Sequence, residues 1–343
     1  MTTTELPALP DRPLNICIVG AGAIGGSVAA RLALSAPAGL GKVTLIARGP
    51  HLEAIRRDGL RLTTPDDPEG QTVRIDATDD PDSLPPQDIV VTALKGHQIP
   101  PMAATLARLL APHGRMVPIV NGVPWWYPLR GADGQMRGAQ EVDPDGVLWR
   151  EIGPRRAIGA IAYYGASVSA PGHIAIQIDG YLDLGRLPGE DRTDVTRVAD
   201  LFRHGGWTIR ETEPFQDALW SKMLGNCAMN SVAAIAQAPT ARALQHPPLY
   251  RLAGGIMEEI RAIAAATGAT IRMTTQERLK WGMRDTGFKP STLQDLEKGR
   301  PMEIEPIFGA AIAVARAHDV PCPDLELATA ILRSIQETRD LAE

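Results

Sequence analysis

Leu14-Asn15-Ile16-Cys17-Ile18-Val19-Gly20-Ala21-Gly22-Ala23-Ile24-Gly25 is an apolar run that enters a glycine turn. The six residues before Gly20 have the length of a strand, and a strand covered on both faces reads as continuous rather than alternating. Residues 23–34 are small and apolar and predict a helix. A G-x-G-x-x-G between a strand and a helix has a specific use: Gly20 permits the tight reversal, Gly22 lets the backbone approach a pyrophosphate, and Gly25 lets the helix pack close to the strand. Ala23 and Ile24 open that helix, whose free N–H groups and dipole favour an anion. A turn with only a structural role is the competing reading.

Working outward, residues 42–47 (KVTLIA) predict a second strand. A site for NAD usually places Asp or Glu at the end of this strand, on the ribose 2′-hydroxyl. Here the strand ends in Ala47-Arg48-Gly49, without an acid. A guanidinium there pairs with a 2′-phosphate, so Arg48 points to NADP (NADPH) as cofactor; a solvated loop cation is the alternative. Residues 88–94 and 115–120 predict further strands, with a helix over 99–110 between them. Alternating strand and helix is the pattern of a doubly wound, Rossmann-type α/β domain. The Pro- and Asp-rich residues 65–70 predict a hairpin tip.

Past residue 150 the pattern changes. Residues 157–165, 172–178 and 180–185 predict strands, 191–204 a helix and 207–210 a last strand. From residue 214 only helices are expected, over 214–236, 247–267, 274–284, 291–298, 303–318 and 324–339. The chain therefore divides into a flexible leader (1–13), an NADP-binding Rossmann-type domain (14–210) and an all-α substrate and catalytic domain (211–343).

Length agrees with two domains, since 343 residues exceed what one core usually supports. With 44% hydrophobic and 22% charged residues the composition is that of a folded protein. A net charge of −5 argues against nucleic acid or an anionic membrane held by bulk charge. Three distant cysteines make no disulfide framework and suit a reducing, cytoplasmic compartment. No apolar run approaches the ~18 residues that span a membrane. No His or Cys spacing is that of a metal site, so no metal is expected. Leu252, Ile256, Ile260 and Ile263 form a helical stripe that reads as core or as the interface of a homodimer.

Two polar constellations stand out in the helical half. Lys222, Asn226 and Asn230 recur at every fourth position and share one helix face among apolar neighbours. Such a stripe reads as hydrogen bonding into a cleft, with a lysine whose charged form burial would disfavour; a solvated stripe is the alternative. Ser291 opens a short helix and Glu303 follows Pro301 at the start of the next. Helix capping is the bland role for both.

At this point the motifs resemble those of the ketopantoate reductases (2-dehydropantoate 2-reductases), from about residue 14 to 335. They are GAGAIGG at 20–26, ALKGHQ at 93–98, VNG at 120–122, W-x-K-x-x-x-N-x-x-x-N at 220–230 and STLQDLEKGR-x-x-E at 291–303. The resemblance implies a Rossmann-type domain followed by a helical domain like that of 6-phosphogluconate dehydrogenase. It implies an NADP-dependent oxidoreductase that reduces a small 2-keto acid, 2-dehydropantoate, to the 2-hydroxy acid pantoate for pantothenate and coenzyme A synthesis. It makes Lys222 the general acid and Glu303 the carboxylate that binds the substrate hydroxyl. Asn226 and Asn230 become substrate-binding amides, and Ser291 a contact to the substrate carboxylate. Lys95 and Asn121 line the cofactor and substrate, and Arg48 meets the 2′-phosphate.

Departures from that family pattern bear on the substrate. Val123-Pro124 leads into Trp125-Trp126-Tyr127, and a long Gly- and Asp-rich stretch runs on to Arg150. The aromatics read equally as a plug at the end of the sheet or as a lid facing the substrate. Met302 replaces the usual Thr and Glu305 the usual Asp. These departures keep open a second reading, a dehydrogenase of the same fold for a bulkier 2-keto acid or ketone, and behind it a non-catalytic NADP sensor.

Overall fold

The computed structural model describes residues 6–131, 133–188 and 190–341. The chain forms two compact units, one of residues 1–120 and 147–215, the other of 121–146 and 216–343. In chain order the first unit begins with β1 (Leu14–Val19), α1 (Ala23–Ser35), β2 (Leu40–Ile46), α2 (Gly49–Asp58), β3 (Leu60–Thr64), β4 (Asp67–Val73), β5 (Asp76–Thr78), β6 (Gln87–Thr92), α3 (Ala103–Leu109) and β7 (Leu110–Pro118). Residues 121–146 carry a short antiparallel pair, β8 (Leu129–Arg130) and β9 (Met136–Arg137). The first unit resumes with α4 (Val147–Glu151), β10 (Gly159–Ala170), β11 (His173–Gly185), α5 (Thr193–His204) and β12 (Thr208–Glu211).

The first sheet has the order β5-β2-β1-β6-β7, and every pairing in it is parallel. Strand order reverses between β1 and β6, which is where open α/β sheets bind ligands. A second sheet, β10-β11-β3-β4 with β12 beside β11, joins two antiparallel hairpins by parallel contacts. Helix α1 lies against both sheets, and residues Gly25 through Leu32 are buried. That is why it is built of small residues: a Cβ on Gly26 would come within 2.7 Å of the Ile174 side chain. Ile16, Ile18, Leu45, Ile89 and Val91 pack on one side of this core and Ile174, Leu182 and Leu184 on the other, all fully buried. Each such side chain contributes about 1.5–3 kcal/mol.

Two expectations are revised here. The strands expected over 172–178 and 180–185 are one strand, β11, which continues through Gly180. A Cβ there would lie 1.7 Å from the Tyr163 carbonyl oxygen, so the glycine marks close backbone approach at an irregular register rather than a chain reversal. The expected leader is partly tied down. Residues 1–5 lie outside the described residues, but Arg12 grips Asp88 with two hydrogen bonds of 2.7 and 2.9 Å, and Arg115 donates to the Pro7 carbonyl. Asp88 also pairs with His113 at 2.6 Å and accepts from the Asn15 N–H. Burial pushes its carboxyl up, yet these partners together hold it below the usual carboxylate range.

The second unit is helical: α6 (Phe215–Ala236, its first residue counted with the other unit), α7 (Thr240–Ala243), α8 (Pro247–Ala266), α9 (Thr275–Gly282), α10 (Ser291–Glu297), α11 (Ala310–Ala317) and α12 (Pro323–Asp340). A π-helical turn, Glu305–Gly309, runs into α11. Ile256, Ile260 and Ile263 of the stripe on α8 are fully buried in this unit. Residues 121–146 belong here too, whereas the sequence places them in the Rossmann-type domain. Trp125, Trp126 and Tyr127 are 2, 3 and 5% exposed. Tyr127 meets Trp220 of α6 edge-on, ring centroids 6.0 Å apart, and accepts a 3.2 Å hydrogen bond from its indole N–H. Tyr127 thus finds its partner on a helix that comes much later in the chain.

Candidate functional site

The candidate nucleotide-binding groups of the first unit are made of backbone. Gly20 has φ +104°, and a Cβ on it would press on Leu94 and the Ala93 carbonyl. A Cβ on Gly25 would fall 1.9 Å from the Gly20 carbonyl oxygen, so only glycine lets α1 start this close to the turn. Gly22 differs: nothing lies within 4 Å of its missing Cβ. It is the N-cap of α1 and offers no side-chain cap, and the first turn, with Ala23 and Ile24, carries no acid. Helix N–H groups left without side-chain acceptors, beside an open face, fit a phosphate.

Arg48 follows β2 as the N-cap of α2, exposed, and makes no ion pair among the described residues. Half-buried Lys95 follows β6 and opens a single 3-10 turn, its N–H donating to Gln98 Oε1 at 3.1 Å. The turn after β1, Arg48 and Lys95 thus stand at the carboxyl ends of three adjacent parallel strands. The residues present fit a dinucleotide.

The candidate groups of the second unit are side chains. On α6, Lys222 and Asn226 are half-buried and Asn230 is only 5% exposed, which excludes a solvated stripe. The amides of Asn226 and Asn230 make no hydrogen bond among the described residues. Buried polar groups are nearly always paired, so uncommitted amides on one face point to a ligand. Cys227, inside the same helix, is fully buried, which pushes its thiol pKa up; it donates to the Ile307 carbonyl and behaves as a core residue.

Glu303 is 8% exposed and lies just before the π-helical turn, a local geometry often found at functional sites. Gly122, φ +92°, rests on that turn: its missing Cβ would lie 2.0 Å from the Pro306 carbonyl oxygen, and the Val123 N–H donates to the same oxygen at 2.9 Å. Half-buried Asn121 is thereby fixed near the segment that carries Glu303. Ser291 is not a helix cap: Pro290 takes that position, and the exposed Ser291 hydroxyl bonds to nothing among the described residues. Glu305 pairs bidentately with Arg333, both bonds 2.7 Å, which is a structural use. Among the described residues no cluster of three or more metal-ligating side chains occurs, and no helix is long and apolar enough to cross a membrane.

With this geometry in hand the chain was compared with known proteins. Residues 16–189 match the family model described as ketopantoate reductase PanE/ApbA, and residues 214–336 match its C-terminal counterpart. The chain belongs to the ketopantoate reductase family. A 2-dehydropantoate 2-reductase of Mesorhizobium japonicum is 36% identical over 95% of this chain and 99% of its own. The crystal structure of 2-dehydropantoate 2-reductase from Geobacter metallireducens superposes with a TM-score of 0.80 at 26% identity, covering 94% of this chain and 99% of that one. A ternary structure of D-mandelate dehydrogenase with NADH and anilino(oxo)acetate has a TM-score of 0.78 at 18% identity, over 95 and 100% of the two chains, and shares the fold. Members of the ketopantoate reductase family are nicotinamide-dependent reductases of keto acids, and this chain is an oxidoreductase acting on a CH–OH group. The contact between Tyr127 and Trp220, two residues before Lys222, was not foreseen. Its only trace in the sequence is the three aromatics in a chain with 4% aromatic content.

Proposed function

We propose that the protein reduces 2-dehydropantoate to pantoate with NADPH. When bound, the reduced nicotinamide supplies a hydride to the ketone carbon, leaving an electron pair and negative charge on oxygen. Lys222 donates a proton to that oxygen and stabilises the charge as it develops, then regains a proton from water. Asn226 and Asn230 hydrogen-bond the substrate. Glu303 accepts from its hydroxyl. Ser291 and Asn121 complete the substrate contacts. Gly20, Gly22, Ala23, Ile24 and Gly25 hold the pyrophosphate, Arg48 the 2′-phosphate, and Lys95 and Asn121 flank the cofactor.

The observation that carries this reading is the α6 face, where two buried or half-buried amides without internal partners follow Lys222 at helical spacing. The reading with a bulkier substrate draws on Trp125-Trp126-Tyr127, and those rings are consumed by packing inside the helical unit. A panel of 2-keto acids with NADPH and NADH is the test. Turnover of 2-dehydropantoate should exceed that of aryl or straight-chain 2-keto acids at least tenfold in kcat/KM. Equal rates would end the assignment. Arg48→Ala should lower the preference for NADPH over NADH by roughly 10- to 100-fold, the scale of one charged hydrogen bond of about 1.5–3 kcal/mol.

A further inference from the structure

Gly225 sits in the interior of α6, three residues after Lys222 and one before Asn226. Glycine is a poor helix former, so its place there calls for a packing reason. That reason is Arg278 of α9. A Cβ on Gly225 would lie 2.1 Å from Arg278 Nη2, 2.8 Å from Cζ and 2.9 Å from Nε, so the guanidinium rests against the α6 backbone. The Trp281 ring, one helical turn further along α9, has its centroid 4.4 Å from Cζ. On the helix wheel Gly225 is about 60° to one side of Lys222 and Asn226 about 40° to the other. The half-buried guanidinium is therefore held beside the face assigned to the substrate.

We propose that Arg278 binds the carboxylate of the 2-keto acid and sets the preference for an acid over a neutral ketone, an inference that rests on the α6 face being the substrate site. The substrate has two centres of negative charge: the permanent carboxylate and the ketone oxygen that gains charge during reduction. Lys222 is committed to the second. Asn226, Asn230 and Ser291 are neutral, and Glu303 repels an anion. A carboxylate held by these groups alone has no counter-charge. A planar guanidinium answers a carboxylate with two parallel N–H bonds, and stacking on Trp281 fixes its plane in advance. The space beside Gly225 is thus filled by a second cation.

The experiment measures KM and kcat of wild type, Arg278→Ala, Arg278→Lys and Gly225→Ala, using the 2-keto acid that wild type reduces fastest and its primary amide. Which acid that is decides the substrate assignment by itself. The Arg278 inference is read from the acid-to-amide ratio. Arg278→Ala should raise KM for the acid at least 30-fold, leave kcat within threefold and leave KM for the amide unchanged. Arg278→Lys should recover part of the loss. Gly225→Ala keeps the arginine but displaces its guanidinium, and should raise KM for the acid at least fivefold with an undiminished Tm. It also decides the matter if Arg278→Ala does not fold. An unchanged acid-to-amide ratio in the variants that fold overturns the proposal, as does an equal rise for both substrates.

Discussion

The two units present their candidate binding groups by opposite means. In the first, atoms are left out: glycines at 20, 22 and 25 clear space, and main-chain N–H groups do the binding. In the second, atoms are put in: an ammonium, two amides and a carboxylate project from α6 and from the segment before the π-helical turn. A backbone site tolerates little change in shape and much change in surrounding side chains. A side-chain site behaves the other way. Substitutions in the first unit should therefore act through geometry and cofactor affinity, and those in the second through rate and substrate binding.

The largest expected effect tests the second half of that contrast. Lys222→Ala should lower kcat by about 10²- to 10⁴-fold, the usual worth of a positioned general acid. NADPH affinity, measured by fluorescence titration, should stay within twofold. A parallel loss of cofactor binding would mean that the two halves are not separable. Next comes a pair in the glycine turn. Gly25→Ala drives a Cβ into the Gly20 carbonyl and should destabilise by about 1–3 kcal/mol, as overpacking does. Gly22→Ala enters open space and should leave Tm unaltered while weakening NADPH binding by roughly tenfold, or about 1.4 kcal/mol. If both lowered Tm alike, the open face at Gly22 would have no bearing on the cofactor.

A smaller effect is expected beside Lys222. Tyr127→Phe removes the acceptor of the buried Trp220 N–H and should cost about 1–3 kcal/mol in denaturant unfolding, with kcat falling by less than threefold. The smallest concerns Asp88. Its pKa is lower in the folded chain than in the unfolded one, so its contribution is present in full above the ordinary carboxylate value, about 3.9, and is lost as pH falls through the folded-state value. Asp88→Asn should be less stable than wild type at pH 7, and the gap should close on acidification below about pH 4. A gap independent of pH would show that the clasp works by packing and not by charge.

The contrast also explains what could be read in advance. The turn at residues 20–25 was legible because its glycines do local work, set by contacts between residues close in sequence. The helices of the second unit were legible for the same reason: their apolar periodicity and the short breaks between them are local signals. The 121–146 segment was not, because nothing near Tyr127 in sequence says that its partner is Trp220. The sequence pattern breaks β11 between residues 178 and 180, while the atom that demands a glycine at 180, the Tyr163 carbonyl oxygen, lies on another strand. Ser291 shows the limit from the other side: its capping role looked plausible locally, and Pro290 takes it instead. Arg278 is not legible in sequence, since a lone Arg in TQERLKWG carries no pattern, and only the glycine opposite it on another helix gives it meaning.

The membership of residues 121–146 has a consequence for how the molecule can be made or divided. The ribosome delivers this segment before the whole stretch 147–215 and well before the C-terminal helices, so its three aromatic rings emerge without their cover and wait for it. Gene fission between 215 and 216 would not yield two self-sufficient halves: one fragment would keep Trp125, Trp126 and Tyr127 as a sticky appendage, and the other would lack the wall behind Trp220. A circular permutant opened between residues 146 and 147, with the native ends joined, would not bring the second unit's two pieces together either: residues 1–120 would then stand between 216–343 and 121–146 in synthesis.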